Sequence, residues 1–308
     1  MADRVVVTGG SGFVGSHLVR RLVETGAEVV LPVRAETDLW RIQDLLEWIR
    51  TVPAAEPLPR TRVVYHLAAA GVRPEDDTAT VLETNVLGTL RLLEHARRVG
   101  VERFVYCGSC FEYGPGEKLS EDTPLRPISE YGASKAAGSL LTLASGAAHG
   151  LPVVVVRPFT TYGPLEAAYR LVPSVILDAL EGGPVRLTSG TQTRDLVYVG
   201  DVVEGLLAAA TDERAIHEIF NLCTGRTTSV LDVASAVSAL LGNVEILPGA
   251  FEDRPVEFQA LSGDPTRAAE QLGWRAQTEL GEGLRRTIEW FRENRSRYPE
   301  YRRATTAS

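Results

Sequence analysis

A glycine-rich turn between a short apolar strand and an amphipathic helix constrains this chain more than any other feature. The turn has the sequence TGGSGFVG at residues 8–15; the apolar run RVVV precedes it and the helical pattern SHLVRRLV follows it. Glycines let the backbone approach a pyrophosphate, and the unpaired N–H groups and partial positive charge of a helix N-terminus attract that anion. The order of strand, turn and helix therefore predicts a dinucleotide-binding unit at the start of the chain.

Valine-rich runs recur along the first half of the chain and alternate with segments of helical spacing. Uninterrupted apolar runs are typical of strands buried on both faces, as in a parallel sheet. The predicted strands are Val5–Thr8, Glu28–Val33, Val63–Leu67, Phe104–Cys107 and Val153–Arg157. The predicted fold class is therefore α/β, a doubly wound parallel sheet of the Rossmann type.

Beyond Arg157, proline and glycine break the chain into shorter elements, which indicates a smaller C-terminal substrate-binding lobe. Helical spacing returns at Asp201–Ala210 and Val230–Leu241, so the two lobes are expected to interleave. We predict a mainly dinucleotide-binding domain over residues 1–165, a mainly substrate-binding lobe over 166–291 and a polar tail over 292–308.

Composition excludes several classes of function. The chain has 308 residues and a net charge of −8, with scattered Lys and Arg, so no nucleic-acid surface is expected. Its three cysteines, Cys107, Cys110 and Cys223, form neither a disulfide framework nor a metal-ligand pattern. No apolar run reaches the ~18 residues of a membrane span, and the chain opens without a signal-peptide pattern. We expect a cytoplasmic protein with no membrane partner and no bound metal.

Tyr131 and Lys135 stand four residues apart, and Ser109 precedes them. Residues at this spacing share one helix face, so the Lys135 ammonium is expected to lower the pKa of the Tyr131 phenol from its ordinary value of about 10. Ser109 would then hold the oxygen of a carbonyl substrate. On an ordinary helix the same pair would be a packed ring and a solvated amine. Together with the glycine turn, the three residues predict carbonyl reduction with a nicotinamide cofactor.

The end of the second predicted strand distinguishes NAD from NADP. An acidic residue there hydrogen-bonds the ribose hydroxyls of NAD, but Val33 occupies that position and Arg34 follows it. A guanidinium can pair with the 2′-phosphate of NADP, which a carboxylate would repel. We therefore predict NADP(H) as the cofactor. The alternative is a surface arginine beside Glu36 and Asp38.

Four further motifs follow in order: HLAA at 66–69, NVLGT at 85–89, RPFTTYGP at 157–164 and RDLVYVGDV at 194–202. With these, the chain resembles the extended short-chain dehydrogenase/reductase family of nucleotide-sugar epimerases, dehydratases and reductases over nearly its whole length. The resemblance implies a nucleotide-diphosphate sugar as substrate, with dTDP as the expected nucleotide. It also implies a homodimer formed through the helices predicted at Val81–Val99 and Tyr131–Ala148.

The resemblance assigns roles to individual residues. The cofactor-binding residues would be Gly9, Gly12, Phe13, Val14, Gly15, Leu67, Ala68, Ala69, Tyr131, Lys135 and Pro158, together with Arg34. The substrate-binding residues would be Ser109, Cys110, Phe159, Arg194 and Arg254, and the two arginines would grip the diphosphate. Arg254 could instead form a surface ion pair with Asp253. Asn85 would lie near the active site or stabilise a helix bend.

Departures from the family pattern decide which reaction is expected. Where 4,6-dehydratases of the family carry an adjacent Asp-Glu pair, this chain has Cys110 and Phe111, which cannot supply the acid and base that elimination of water needs. Glu112, one position further, either contacts substrate or caps a loop. Asp44 is the candidate for the adenine contact, in a segment, Trp40–Arg50, that is predicted to be helical.

The sequence therefore predicts an NADP-dependent reductase that acts on a keto group, at C4, of a nucleotide-activated deoxyhexose. An NAD-dependent 4-epimerase of a UDP- or dTDP-hexose is the alternative, because it uses the same residues but retains its cofactor. A catalytically silent redox-sensing protein is a third hypothesis, and the intact Ser109, Tyr131 and Lys135 argue against it.

Overall fold

The strands form around the valine-rich runs of the chain. A computed structural model describes residues 4–71, 76–252 and 258–298. The strands of this part are β1 (Arg4–Thr8), β2 (Glu28–Val33), β3 (Ile49–Pro53), β4 (Val63–His66), β5 (Arg103–Cys107), β6 (Gly116–Leu119), β7 (Val153–Pro158), β8 (Thr160–Tyr162), β9 (Val185–Arg186), β10 (Thr193–Arg194), β11 (Leu196–Tyr198), β12 (Ile219–Leu222), β13 (Thr228–Ser229), β14 (Ile246–Leu247) and β15 (Ala260–Gly263).

Seven of these strands make one parallel sheet in the order β12-β7-β5-β4-β1-β2-β3. Its central strands are buried on both faces, as the apolar runs predict. Helices cover both faces, which confirms the predicted doubly wound fold. The helices are α1 (Phe13–Glu24), α2 (Thr78–Leu82), α3 (Gly88–Val99), α4 (Glu130–His149), α5 (Leu171–Leu180), α6 (Val199–Thr211), α7 (Val230–Leu240), α8 (Thr266–Gln271) and α9 (Leu280–Glu293).

The helix predicted over Trp40–Arg50 is wrong in its second half. A short 3₁₀ helix occupies Trp40–Leu45, and the chain then enters β3, which pairs in parallel with β2. β3 is an edge strand in which Val52 alone is buried, so its sequence lacks the long apolar run of a central strand.

Segments from the second half of the sequence contribute to both lobes. β12 joins the edge of the main sheet, while α5, α7 and α9 surround a separate apolar core. At the start of the predicted polar tail, α9 continues to Glu293 and the Tyr298 ring packs against Trp290 and Phe291. Residues 299–308 lie outside the described residues, and the domain limits stay a prediction.

Within the described ranges, no helix combines the length and apolar character that a membrane crossing requires. The same residues contain no group of three or more His, Cys, Asp or Glu side chains placed to hold a metal ion. The cytoplasmic location stays a prediction.

Candidate active site

The strand order reverses between β1 and β4, and the C-terminal ends of these strands open a crevice where parallel sheets of this kind bind ligands. Gly9 directly follows β1 with a φ of +72°, in the left-handed region that favours glycine. A Cβ atom at Gly9 would lie 2.5 Å from the backbone nitrogen of Ala68, beyond the end of β4. The glycine turn, residues 8–15, therefore presents its backbone to the crevice, and we call it the cradle.

The N-terminus of α1 faces this cradle without a side-chain cap, since Gly12 is its N-cap residue. Its first N–H groups are therefore available to an anion. Leu67, Ala68 and Ala69 are half-buried beside the turn, and Pro158 ends β7 at the same edge of the sheet. This arrangement of small residues, backbone N–H groups and a helix terminus fits a dinucleotide.

Ser109 and Tyr131 meet at the end of β5. Ser109 is the N-cap of a 3₁₀ turn, Cys110–Glu112, and its side chain lies close enough to Tyr131, in the first turn of α4, to lower the pKa of that phenol. Lys135 follows one turn later and is buried. The structure thus brings the three predicted catalytic residues to one place.

The electrostatics of Tyr131 differ from the sequence-based expectation. Burial is the largest influence and raises its pKa above the ordinary value, while the charge of Arg170 and the hydrogen bond with Ser109 lower it. Lys135 Nζ lies 4.4 Å from the centroid of the Tyr106 ring, and burial lowers the pKa of this ammonium. The predicted net lowering of the Tyr131 pKa by Lys135 is wrong for this structure, because desolvation outweighs the positive charge of Arg170 and the hydrogen bond with Ser109.

Asn85 fixes the start of α4. It is buried in a single π-helical turn, Glu83–Leu87, between α2 and α3. Its side-chain amide donates to the Ala70 carbonyl at 2.9 Å and to Ser134 Oγ at 2.8 Å, and its Oδ1 accepts from Ala70 N–H at 2.8 Å. The residue therefore ties the loop after β4 to the helix that carries Tyr131. Single π turns of this kind are frequent at functional sites.

The HLAA motif supplies a buried link beneath the cradle. The His66 ring lies 2.6 Å from Thr8 Oγ1 through Nδ1 and 2.9 Å from Thr89 Oγ1 through Nε2. Burial lowers the pKa of His66 to about 3, so the ring is neutral. Its position joins β1, β4 and α3 and leaves it no role in proton transfer at neutral pH.

The family of the chain follows from its similarity to known proteins. The model of the NAD dependent epimerase/dehydratase family matches residues 5–223. The chain belongs to that family. This confirms the resemblance to extended short-chain dehydrogenases/reductases, and the chain is an enzyme of the nucleotide-sugar epimerase/dehydratase type that uses a nicotinamide cofactor.

Two relatives and one solved structure are similar to almost the whole chain. A dTDP-glucose 4,6-dehydratase of Streptomyces griseus is 35% identical, over 96% of each protein. A UDP-glucose 4-epimerase of Mycolicibacterium smegmatis is 32% identical, over 94% of this chain and 98% of the relative. The structure of a UDP-glucuronic acid 4-epimerase from Bacillus cereus, in complex with UDP-glucuronic acid and NAD, has a TM-score of 0.84 at 27% identity and covers 94% of this chain and 99% of its own.

Two aromatic rings form an apolar wall beside Tyr131. The Phe111 ring makes edge contacts with Tyr131, at a centroid distance of 6.0 Å, and with Phe258, at 4.8 Å. Cys110 is buried, and its burial raises the pKa of the thiol to about 12. A phenyl ring and a protonated thiol offer neither the acid nor the base of a dehydratase.

The predicted substrate residues Phe159, Arg194 and Arg254 differ in where the structure places them. Phe159 is only 3% exposed and stacks on Tyr113 in the core, so its ring contributes packing rather than a pocket wall. Arg194 donates to the Thr193 and Phe258 carbonyls, and its charge lowers the pKa of Cys110, which places it on the substrate side. Arg254 lies outside the described residues.

Arg170 is a site residue that sequence reasoning missed. Its positive charge lowers the pKa of both Tyr131 and Cys110, so it lies near the catalytic group although 38 residues separate it from Tyr131 along the chain. Arg170 precedes α5 as its N-cap and also pairs with Glu166 at 3.7 Å. No sequence motif singled it out, because its role depends on how α5 packs.

The two residues predicted to contact the adenosine part of the cofactor, Arg34 and Asp44, each pair with another protein side chain. Arg34 is 66% exposed at the end of β2, and its Nε lies 3.1 Å from Glu36 Oε1. This surface ion pair is the alternative that the sequence left open. Asp44 accepts two hydrogen bonds from Arg20 of α1, the longer at 3.1 Å, rather than facing the crevice unpaired.

Proposed function

We propose that this protein uses NADPH to reduce a keto group, at C4, of a nucleotide-activated deoxyhexose. The observation that carries the proposal is the meeting of Ser109 and Tyr131 beside an apolar wall made by Phe111 and Phe258. A carbonyl placed there has a hydroxyl and a phenol within reach of its oxygen. It has no carboxylate at the positions where a dehydratase needs one.

The residues of the chain have distinct roles in such a reduction. A nicotinamide dinucleotide held through its pyrophosphate at the cradle would supply the hydride. Ser109 hydrogen-bonds the carbonyl oxygen and stabilises the charge that develops there, and Tyr131 donates the proton that neutralises it. The raised pKa of Tyr131 keeps the phenol protonated, as an acid in the reductive direction requires. Lys135 would hold the ribose of the cofactor.

The choice of NADP rests on Arg34. Its side chain is exposed at the tip of β2, so it can exchange Glu36 for a 2′-phosphate without opening the core. The absence of an acidic residue at Val33 removes the group that would favour NAD. A dTDP-linked sugar is proposed because the S. griseus relative is named for dTDP-glucose.

An NAD-dependent 4-epimerase is the second candidate, and the relatives in M. smegmatis and B. cereus favour it. Epimerisation at C4 would use Ser109, Tyr131 and Lys135 in the same positions, with Tyr131 acting first as a base. It would also need a cofactor that stays bound through the whole cycle.

A homodimer is also proposed. Four leucines are exposed in the two segments expected to form the interface: Leu82 at the end of α2, Leu87 at the end of the π-helical turn, Leu90 on α3 and Leu140 on α4. Leucines exposed together on adjacent helices support a contact with a second copy.

The proposed function is tested by following cofactor oxidation with dTDP-4-keto-6-deoxyglucose as substrate, with NADPH and NADH supplied in parallel. We expect stoichiometric consumption of NADPH and slower use of NADH. If neither is consumed, and denaturing the purified protein releases bound dinucleotide, the ketoreductase is wrong and the epimerase takes its place.

A further inference from the structure

A buried ion pair lies directly behind Ser109. The side chains of Glu112 and Arg157 are 0% and 2% exposed, and Arg157 Nε donates to Glu112 Oε2 at 2.8 Å. The other carboxylate oxygen, Oε1, accepts a hydrogen bond of 2.8 Å from the backbone N–H of Ser109. Glu112 therefore connects a fixed cation on β7 to the residue that is expected to hold the carbonyl oxygen.

The same hydrogen bonds determine what the Ser109 hydroxyl can do. Its Oγ accepts from the Phe111 N–H at 3.2 Å, which completes a capping box with Glu112. A serine hydroxyl has one proton and two lone pairs. With one lone pair turned toward Phe111, the proton and the second lone pair remain for groups on the Tyr131 side. The turn thus leaves the Ser109 proton available to an oxygen in the crevice.

Burying an ion pair at this position costs free energy of hydration. Two buried charges lose their hydration, and apolar side chains of similar volume often stabilise a core as well or better. The pair also restricts its neighbour, because a Cβ at Gly108 would collide with Glu112 Oε1 and approach Arg157 Cγ to 3.3 Å. Apolar residues at 112 and 157 would fill the space but could not accept the Ser109 N–H.

Tyr113, which hydrogen-bonds Arg157 on the side away from Glu112, provides a control for the test of Glu112. Arg157 Nη1 donates to the Tyr113 hydroxyl at 2.8 Å, and that hydroxyl donates to Asn221 Oδ1 on β12 at 2.8 Å. Tyr113 belongs to the same buried polar network but makes none of the hydrogen bonds of Ser109. A change at Tyr113 therefore perturbs the network without removing the acceptor of Ser109.

We infer that Glu112 is a positioning residue, whose carboxylate, anchored by Arg157, holds the Ser109 backbone so that the serine hydroxyl points at the substrate oxygen. The inference rests on the proposed function for the identity of that oxygen. The sequence left two roles open for Glu112, contact with the substrate or capping of a loop. The inference selects the cap and gives it a part in the reaction.

Two double variants isolate the positioning role. E112L/R157M and E112Q/R157M both remove the buried charges, but only glutamine offers an oxygen to the Ser109 N–H. We expect E112L/R157M to lose about 100-fold in kcat, as when an oxyanion donor is displaced, with the Kd for the dinucleotide unchanged. E112Q/R157M should keep kcat within about tenfold of the unmodified protein, and Y113F within about threefold.

Equal losses of kcat in the two double variants, or a loss in Y113F as large as that in E112L/R157M, would overturn the inference. If both double variants fail to fold, E112D replaces them. It keeps a charge for Arg157 but retracts the acceptor from Ser109, so kcat should fall at least about tenfold. An E112D protein with the kcat of the unmodified protein would count against positioning.

A protein that shows neither reductase nor epimerase turnover would refute the proposed function and not this inference. Hydrogen exchange of the Ser109 amide, followed by NMR, then decides. Faster exchange in E112L/R157M than in E112Q/R157M supports the role of the residue 112 oxygen, and equal exchange overturns it. Thermal unfolding of each variant confirms that the comparison is made between folded proteins.

Discussion

Asn85 donates a 2.8 Å hydrogen bond from its side-chain amide to the hydroxyl of Ser134, one turn of helix from the predicted proton donor. Ser134 in turn donates to the main-chain carbonyl of Tyr131 at 2.8 Å. Because Asn85 also binds both main-chain groups of Ala70, the first turn of α4 is tied to the loop that follows β4. The position of Tyr131 is thus set by buried protein contacts.

Replacing Tyr131 by phenylalanine is expected to lower kcat at least about 100-fold, because the variant keeps the ring packing against Phe111 but lacks the proton donor. The Kd for the dinucleotide should change little, since the cradle lies at the ends of β1 and β4. Steady-state kinetics and fluorescence titration measure the two quantities. A Tyr131→Phe enzyme with near wild-type kcat would show that another group is the acid.

Replacing Arg34 by alanine is expected to weaken NADPH binding about tenfold or more while leaving NADH binding within about twofold, because only NADPH carries the 2′-phosphate. Glu36→Ala is the matched control. It frees Arg34 from its ion pair and should strengthen NADPH binding. Isothermal titration of the three proteins measures the effect, and equal affinity of the unmodified protein for both cofactors would contradict the NADP proposal.

Phe111 is expected to favour a sugar whose carbon next to the reacting ketone carries a methyl group rather than a hydroxymethyl group. The aromatic wall gains from an apolar methyl and leaves a hydroxyl without a partner. Phe111→Ala should reduce the ratio of kcat/KM for 6-deoxy over 6-hydroxy 4-keto substrates about tenfold. An unchanged ratio would mean that the ring does not contact that part of the sugar.

Glu166 is expected to make stability depend on pH. Burial raises its pKa from 4.5 to about 8, and no hydrogen bond to its Oε2 is found among the described residues. The folded state binds the proton more tightly than the unfolded state. The stability that Glu166 contributes is therefore fully present below pH 4.5, declines as the pH rises and is lost once the pH passes about 8.

Glu166→Gln removes this titration. Its melting temperature should exceed that of the unmodified protein by a margin that grows with pH and reaches at least about 2 °C above the folded pKa. Glu117→Gln, at an exposed position, is the control and should follow the unmodified protein throughout. Parallel melting curves for Glu166→Gln and the unmodified protein across this range would contradict the buried-acid account.

Leu140 is expected to lie in a dimer interface. It is 58% exposed on α4, so Leu140→Glu should leave folding intact but place a charge in the contact and shift the protein toward monomer at micromolar concentration. Leu231→Glu, an exposed leucine on α7, is the control and should leave the dimer unchanged. Sedimentation measures both, and a monomeric unmodified protein would refute the dimer.

Much of the fold could be predicted from local pattern. The main-sheet strands with long valine runs match the structure to within one residue at each end, since a strand buried on both faces needs a continuous apolar sequence. β3 was missed for the converse reason, because an edge strand with one buried side chain has no such signal. The glycine turn was recognisable because bare backbone is a local property.

The sequence by itself determined the doubly wound fold, the dinucleotide cradle and the set of Ser109, Tyr131 and Lys135, because periodicity, glycine content and helical spacing act over a few residues. Only the tertiary structure decided how those groups behave. Glu112 forms an ion pair with Arg157, which lies 45 positions further along the chain. Burial raises the pKa of Tyr131, and the positive charge of Arg170 lowers it. Burial and charge pairing depend on which distant segments pack together, and no local pattern encodes them.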